Sequence, residues 1–155
     1  MNYHKKIVVK SLADYLEVMS QSVFQTGISW RVVDAKWTGT KEAFRSFDPT
    51  VVSRFTMSDM AALAEDPRII RNHRKIEAIV YNAKRLLELD KEFGGFRNYL
   101  RSFKSYDALA ADIRKQFKFM GDVGIFRFLH IVGEKVPTWE EWMATHTTKR
   151  PVPMH

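Results

Sequence analysis

Lys115, Lys118 and Arg127 flank Gly121 within RKQFKFMGDVGIFRFLHIVG, residues 114–133. A glycine turn that opens a helix leaves the first backbone N–H groups without helical partners, and the helix dipole adds partial positive charge there. With basic side chains around it, such a turn suits an anion, phosphate above all, and so a nucleic-acid backbone held without reading its sequence. An ordinary helix corner whose glycine only permits the turn fits the same residues. A second basic cluster, Arg71, His73, Arg74 and Lys75, opens a long helical run and suits either phosphate contact or a solvated charged end. Trp30 follows Gly27 and Ser29 at a helix break, where an indole serves equally as a stacking wall or as packing.

Composition bounds what these residues can belong to. The 155 residues suffice for one domain with a real core, expected over 1–146, with 147–155 as a tail carrying two prolines. A hydrophobic share of 45% excludes a disordered basic chain. No apolar run approaches the roughly 18 residues of a membrane span, and the N-terminus shows no signal-peptide pattern, so no membrane partner is expected. The absence of cysteine excludes disulfides and thiolate metal sites and fits a cytoplasmic protein. Lys and Arg outnumber Asp and Glu by 25 to 18, a net charge of +7, which makes a polyanion the leading partner class.

The elements that must position the basic and aromatic groups read as helices nearly throughout, an all-α fold without repeats or alternating strand patterns. Ser11 with Asp14 has the capping-box pattern for a helix to about Phe24. Short helices are expected over Trp30–Lys36 and Glu42–Phe47. Asp48-Pro49 and Asp66-Pro67 read as matching helix starts, and Thr56 with Asp59 opens another. Asn72–Glu88 is the longest run, with Ile76, Ile79, Val80, Ala83 and Leu87 as its buried stripe. Phe96–Phe103 and Ser105–Phe117 precede the turn, Val136-Pro137 stops the helix after it, and Trp139–His146 is the last helix. Trp37, Trp139, Trp142 and the methionines read as packing residues, one tryptophan being eligible as a pocket wall, and His130 reads as a core histidine.

Three blocks in order carry a resemblance: FQTGISW (residues 24–30), DPRIIRNHRKI (66–76) followed by Asn82-Ala83, and FKFMG (117–121). Over about Leu16 to Gly133 the chain resembles the 3-methyladenine DNA glycosylase I family of helix-hairpin-helix glycosylases. The resemblance implies a two-lobed helical bundle with a helix-hairpin-helix motif, acting as a monofunctional DNA repair glycosylase on alkylated bases flipped out of duplex DNA. The chemistry is coherent: methylation at N3 makes adenine cationic and a better leaving group, and aromatic faces favour a cation by roughly 0.5–2 kcal/mol each. By this resemblance Trp30 lines the base pocket, and Gln25 meets the base edge or ties the Gly27 turn. Lys118, Met120 and Gly121 anchor DNA phosphate, with Arg74 and Lys75 beside them.

The departures from the family pattern are as informative. Where the family has a base-recognising glutamate, this chain has Ser22, able to hydrogen-bond a base but not to oppose its charge. Glu17 lies about 140° away around the helix and is no simple substitute. The family's zinc-binding Cys and His have no counterparts; Tyr3-His4 is at best a remnant. Asp122 reads as a turn or cap aspartate. No lysine stands out as a Schiff-base nucleophile. The expectation is therefore a monomeric, cytoplasmic enzyme associated with the nucleoid through DNA, needing neither metal nor organic cofactor. A non-catalytic binder of damaged DNA with the same fold, or a basic protein-interaction module, are the alternatives.

Overall fold

Leu16, Met19 and Val23 recur at helical spacing and are fully buried along α1 (Leu12–Gln25), which packs against four neighbouring helices and a 3-10 turn. The computed structural model describes residues 5–149, with side chains to residue 146. Among the described residues there are ten α-helices and no strand, as the all-α reading expects. Tyr3 and His4 lie outside them.

The long helix α6 (His73–Phe93) starts where Asn72 accepts the Lys75 N–H at 3.1 Å and ends at Gly94 in the left-handed region. It overruns the expected end at Glu88. Its buried stripe continues through Leu86 and Leu89, the 3.6-residue continuation of Ile76, Ile79 and Ala83, rather than through Leu87. α2 (Trp30–Ala35) matches the expected helix, and α4 (Pro49–Val52) and α5 (Met57–Ala64) begin at the Asp48 and Thr56 caps.

Four local expectations are corrected. Ser11 makes no side-chain cap bond, and the Asp14 carboxylate accepts from the Lys10 N–H, at 2.7 Å, in place of the Ser11 N–H of a capping box. Residues 42–47 are not one helix. α3 (Trp37–Ala43) ends, and a left-handed turn over Arg45–Phe47 stacks Phe47 on Trp37 and Phe44 at 5.3 and 5.2 Å, offsetting the backbone strain. Asp66-Pro67 starts no helix: its carboxylate accepts the Arg68 N–H as a cap would, but it is also bound by the Arg68 guanidinium. α7 (Phe96–Leu100) stops before Phe103; there the Ser102 hydroxyl donates to the Tyr99 carbonyl at 2.7 Å, competing with the helical ladder.

α8 (Tyr106–Gln116) and α9 (Asp122–Ile131) flank the turn at 117–121, and α9 packs lengthwise on α1. α10 (Trp139–Lys149) runs past His146, so the expected tail is helical through residue 149; residues 150–155 lie outside the described residues.

Candidate functional site

The last turn of α1 and the first of α2 are joined by a bend that presents Gln25 and Trp30 to the same cavity. Gly27, at φ +77°, occupies the left-handed region this bend requires. Ser29 caps α2 by accepting the Val32 N–H. Gln25 Nε2 donates to the Ile28 carbonyl at 3.4 Å, so of its two expected roles the turn tie is present. Beneath the bend lies Lys75, 4% exposed, whose ammonium donates to the carbonyls of Phe24, at 2.8 Å, and Thr26. Those carbonyls are among the groups a helix end leaves unpaired. Burial lowers the Lys75 pKa from its ordinary value. The expected phosphate contact of Lys75 is therefore corrected: the amine braces the Trp30 bend from inside. Arg74, its neighbour, is exposed on the first turn of α6.

Two adjoining cavities share Gln25, Val123 and Gly124. One, of about 680 Å³, lies between Trp30 and α9 and is also lined by Lys6, Phe126, Arg127, His130 and Trp139. The other, of about 630 Å³, follows the 117–121 turn and is bordered by Ser22, Gln25, Met120 and Gly121. Neither is lined by Arg74 or Lys75.

Arg127 is where sequence reasoning went furthest astray. Counted among the basic groups around the turn, it is 5% exposed and points inward from α9. Its guanidinium lies over the Trp30 ring at 4.3 Å. Its Nη2 donates to Gln21 Oε1 at 2.7 Å, and Nη1 to the Val18 carbonyl at 3.3 Å and Ser22 Oγ at 3.4 Å. An arginine inside the apolar run GIFRFLHI was the available signal. Ser22 is 2% exposed and packed in the α1–α9 seam, donating to the Gly124 carbonyl at 3.4 Å. A Cβ on Gly124 would stand 3.3 Å from that of Ser22, so the two helices approach closely here. Glu17 accepts from Trp37 Nε1 at 2.9 Å and pairs with Lys41 at 3.2 Å, which keeps it from substituting for a pocket carboxylate.

The turn is held from below by Asn82, fully buried on α6. Its Oδ1 accepts the Lys118 N–H at 2.8 Å, and its Nδ2 donates to the Lys118 carbonyl at 3.1 Å. Sequence reasoning noted Asn82 without giving it this role. The Lys118 side chain stays exposed, its Nζ 4.3 Å over the Tyr81 ring. The left-handed residue of the turn is Phe119, at φ +60°, not Gly121, which caps α9 with φ −89° and ψ −178°. A Cβ on Gly121 would meet nothing within 4 Å, so what the glycine keeps is open approach to the α9 N-terminus. Met120 is 4% exposed, so its side chain packs in the core rather than reaching a surface partner. Asp122 is the first residue of α9 rather than its cap and pairs with Arg114.

The donors present do not fit the zinc site that the resemblance implies. The chain has no cysteine, and no cluster of three or more His, Asp or Glu that could hold a metal occurs among the described residues.

The sequence profile described as methyladenine glycosylase matches residues 2–117. The chain belongs to the methyladenine glycosylase family. A DNA-3-methyladenine glycosylase of Haemophilus influenzae is 35% identical over 89 residues, covering 57% of this chain and 48% of its own length. The chain thus spans about half the length of that relative. DNA-3-methyladenine glycosylase 1 of Escherichia coli is 28% identical over 130 residues, 70% of each chain. A structure of 3-methyladenine DNA glycosylase I from Staphylococcus aureus, solved for its recognition of 3-methyladenine, matches with a TM-score of 0.73 at 26% identity, over 85% of this chain and 83% of that one. The methyladenine glycosylase match contains one wall of the larger cavity, Gln25 and Trp30; the opposing α9 wall lies beyond it.

Proposed function

We propose that the protein is a monofunctional DNA glycosylase of the 3-methyladenine type, hydrolysing the N-glycosidic bond of alkylated bases in duplex DNA. The observation that carries this reading is the cavity of about 680 Å³ behind the Gln25–Trp30 bend, the bend itself lying within the residues that the methyladenine glycosylase profile covers. Its size and its mixture of aromatic walls with a few polar groups suit a single base. A base inside a duplex cannot reach such a site, so the nucleotide must be extruded, at a cost of a few kcal/mol that is least where alkylation weakens pairing. Trp30 and Gln25 frame the extruded base, with Ser22 in the seam behind.

The 117–121 turn with α8 and α9 forms the helix-hairpin-helix anchor of this reading. The free N–H groups opening α9 at Gly121, the backbone of Met120 and the exposed Lys118 amine receive phosphate, and Arg74 adds a contact from α6. These contacts carry no sequence information, as a repair enzyme requires. No metal or organic cofactor enters, and one copy of the chain suffices. Among the described residues no helix is long and apolar enough to cross a membrane; action at the nucleoid follows from DNA as substrate.

The test is release of free base from duplexes carrying defined alkylated bases, cationic and neutral. The expected products are the free base and an abasic strand that breaks only on alkali. No base released above a protein-free control would remove the reading.

A further inference from the structure

We propose that Trp139, on α10 and beyond the profile-matched residues, stacks on the extruded base as a second aromatic wall of the larger cavity. This inference rests on the glycosylase reading above. Thr138 opens α10: its hydroxyl oxygen accepts the Glu141 N–H at 3.1 Å, and its carbonyl the Trp142 N–H at 2.9 Å. The helix therefore begins at Trp139, and Trp139, Trp142 and His146 follow at i, i+3 and i+7, on one face. Their rings form a column in that order. Trp139 lies on Trp142 with centroids 5.3 Å apart and planes 17° from parallel, and Trp142 on His146 at 3.8 Å and 21°. Phe126 stands 5.4 Å from Trp139 and 5.3 Å from Trp142, nearly equidistant, so it flanks the column instead of capping it. Among the described residues the column ends at Trp139.

Exposure separates the two tryptophans of the column. Trp142 is 4% exposed, as packing alone requires, whereas Trp139 is 47% exposed and lines the same cavity as Trp30. An indole left half open at a cavity wall keeps apolar area in water that a flat ligand would cover. A flipped purine is such a ligand: it stacks on an aromatic face, and the face also favours the positive charge of an alkylated base. Trp30 has the Arg127 guanidinium over one face at 4.3 Å, so a base gains at most a single indole face there. Trp139 adds the other indole of the lining. Its contribution falls on the extruded state. The release rate with all duplex bound scales with the extruded fraction, which this stack raises. Phosphate contacts at the 117–121 turn hold the duplex whether or not a base is extruded. Trp139 therefore acts on the rate of release at saturation rather than on affinity for undamaged duplex.

Release of 3-methyladenine from a methylated duplex is followed under single-turnover conditions with enzyme in excess, for the wild type, Trp139→Ala, Trp139→Leu and Trp139→Phe. Each protein is also melted and titrated with undamaged duplex. Trp139→Ala should release base at least about tenfold more slowly at saturation, the scale of one base–aromatic stack, with undamaged-duplex binding unchanged. Trp139→Phe should recover much of that rate. Trp139→Leu should not, since leucine restores apolar bulk without a π-face. Both keep an apolar contact with Trp142, so their comparison holds even where Trp139→Ala melts early. A wild-type rate in Trp139→Ala, a Leu variant as fast as the Phe variant, or an equal loss of undamaged-duplex binding overturns the inference while leaving the glycosylase reading intact. No release by the wild type removes the glycosylase reading, and the inference with it.

Discussion

Lys75 and Lys118 are both lysines of basic clusters, yet one is buried and the other exposed. The distinction was legible in spacing: Lys75 falls on the stripe of Ile79, Asn82 and Leu86, all buried, and a lysine on a core stripe must carry its amine to internal acceptors. The cluster's charge hid that signal. Lys75→Met should lower stability by about 1–3 kcal/mol, since two carbonyls at the end of α1 lose their donor, and leave the salt dependence of DNA binding unchanged. Denaturant melts and a salt titration check both halves. The sign of the pH effect follows from burial. With its folded pKa below the ordinary 10.5, Lys75 holds its proton more tightly in the unfolded chain, so stability rises with pH between those values, and Lys75→Met should remove that rise. Trp30, by contrast, was placed by its motif and stands at the cavity, but the guanidinium above it was not foreseen: the apolar run around Arg127 signals burial, yet no local pattern tells which element a buried guanidinium will meet. Trp30→Ala should abolish excision while leaving binding to undamaged duplex largely intact, and Trp30→Phe should keep part of the activity. Full base release by a folded Trp30→Ala protein would take Trp30 out of the site.

At the scale of elements, periodicity placed most helices, and local side-chain chemistry moved several of their ends. Asp48-Pro49 and Asp66-Pro67 are the same dipeptide, but only the first caps a helix. Both aspartates accept the N–H two residues on, but at Asp66 the Arg68 guanidinium binds the carboxylate as well, an interaction that cap rules do not include. The 117–121 turn was legible as a turn, though not as one held by Asn82 from 36 residues away. That clamp separates two kinds of effect on DNA binding. Lys118→Ala should lower affinity and reduce the log–log salt slope by about 0.9, because one phosphate contact no longer releases a counterion. Asn82→Ala removes no charge, so it should lower affinity at every salt concentration with the slope unchanged, by loosening the turn that aims the amine and the α9 N–H groups. Gly121→Val, whose side chain would cover the helix N-terminus, should weaken binding without disturbing the fold, as nothing stands within 4 Å of its Cβ. Salt titrations of the three proteins on an undamaged duplex read all of these; parental binding by both Lys118→Ala and Gly121→Val would show that the turn is not the anchor.

Over the whole molecule, both ends of the described chain close on α9, and they do so through main chain and aromatic rings. The Ile7 N–H donates to the Ile131 carbonyl at 2.9 Å, tying the N-terminal segment to the end of α9. From the other side α10 brings Trp142, 4% exposed, against Phe126 at 5.3 Å, with Trp139 and His146 stacked on it at 5.3 and 3.8 Å. The spacing of α10 showed a helix with two tryptophans, but not that they sit beside a cavity wall, since docking between elements distant in sequence leaves no periodic trace. No suitable cluster of metal ligands occurs among the described residues, and we expect a fold closed in this way to need no metal. A chelator should therefore leave the melting temperature unchanged. Trp142→Ala should cost about 3–5 kcal/mol, a fall in Tm on the order of 10 °C. Because Phe126 and Trp139 line the cavity that Arg127 and Trp30 share, the same substitution should slow base release more than it weakens binding to undamaged duplex. Thermal melts with and without chelator, beside single-turnover release below the variant's melting temperature, test the argument. Stoichiometric zinc in protein purified without an affinity tag, or a chelator effect as large as that of Trp142→Ala, would show that metal rather than aromatic packing closes the fold.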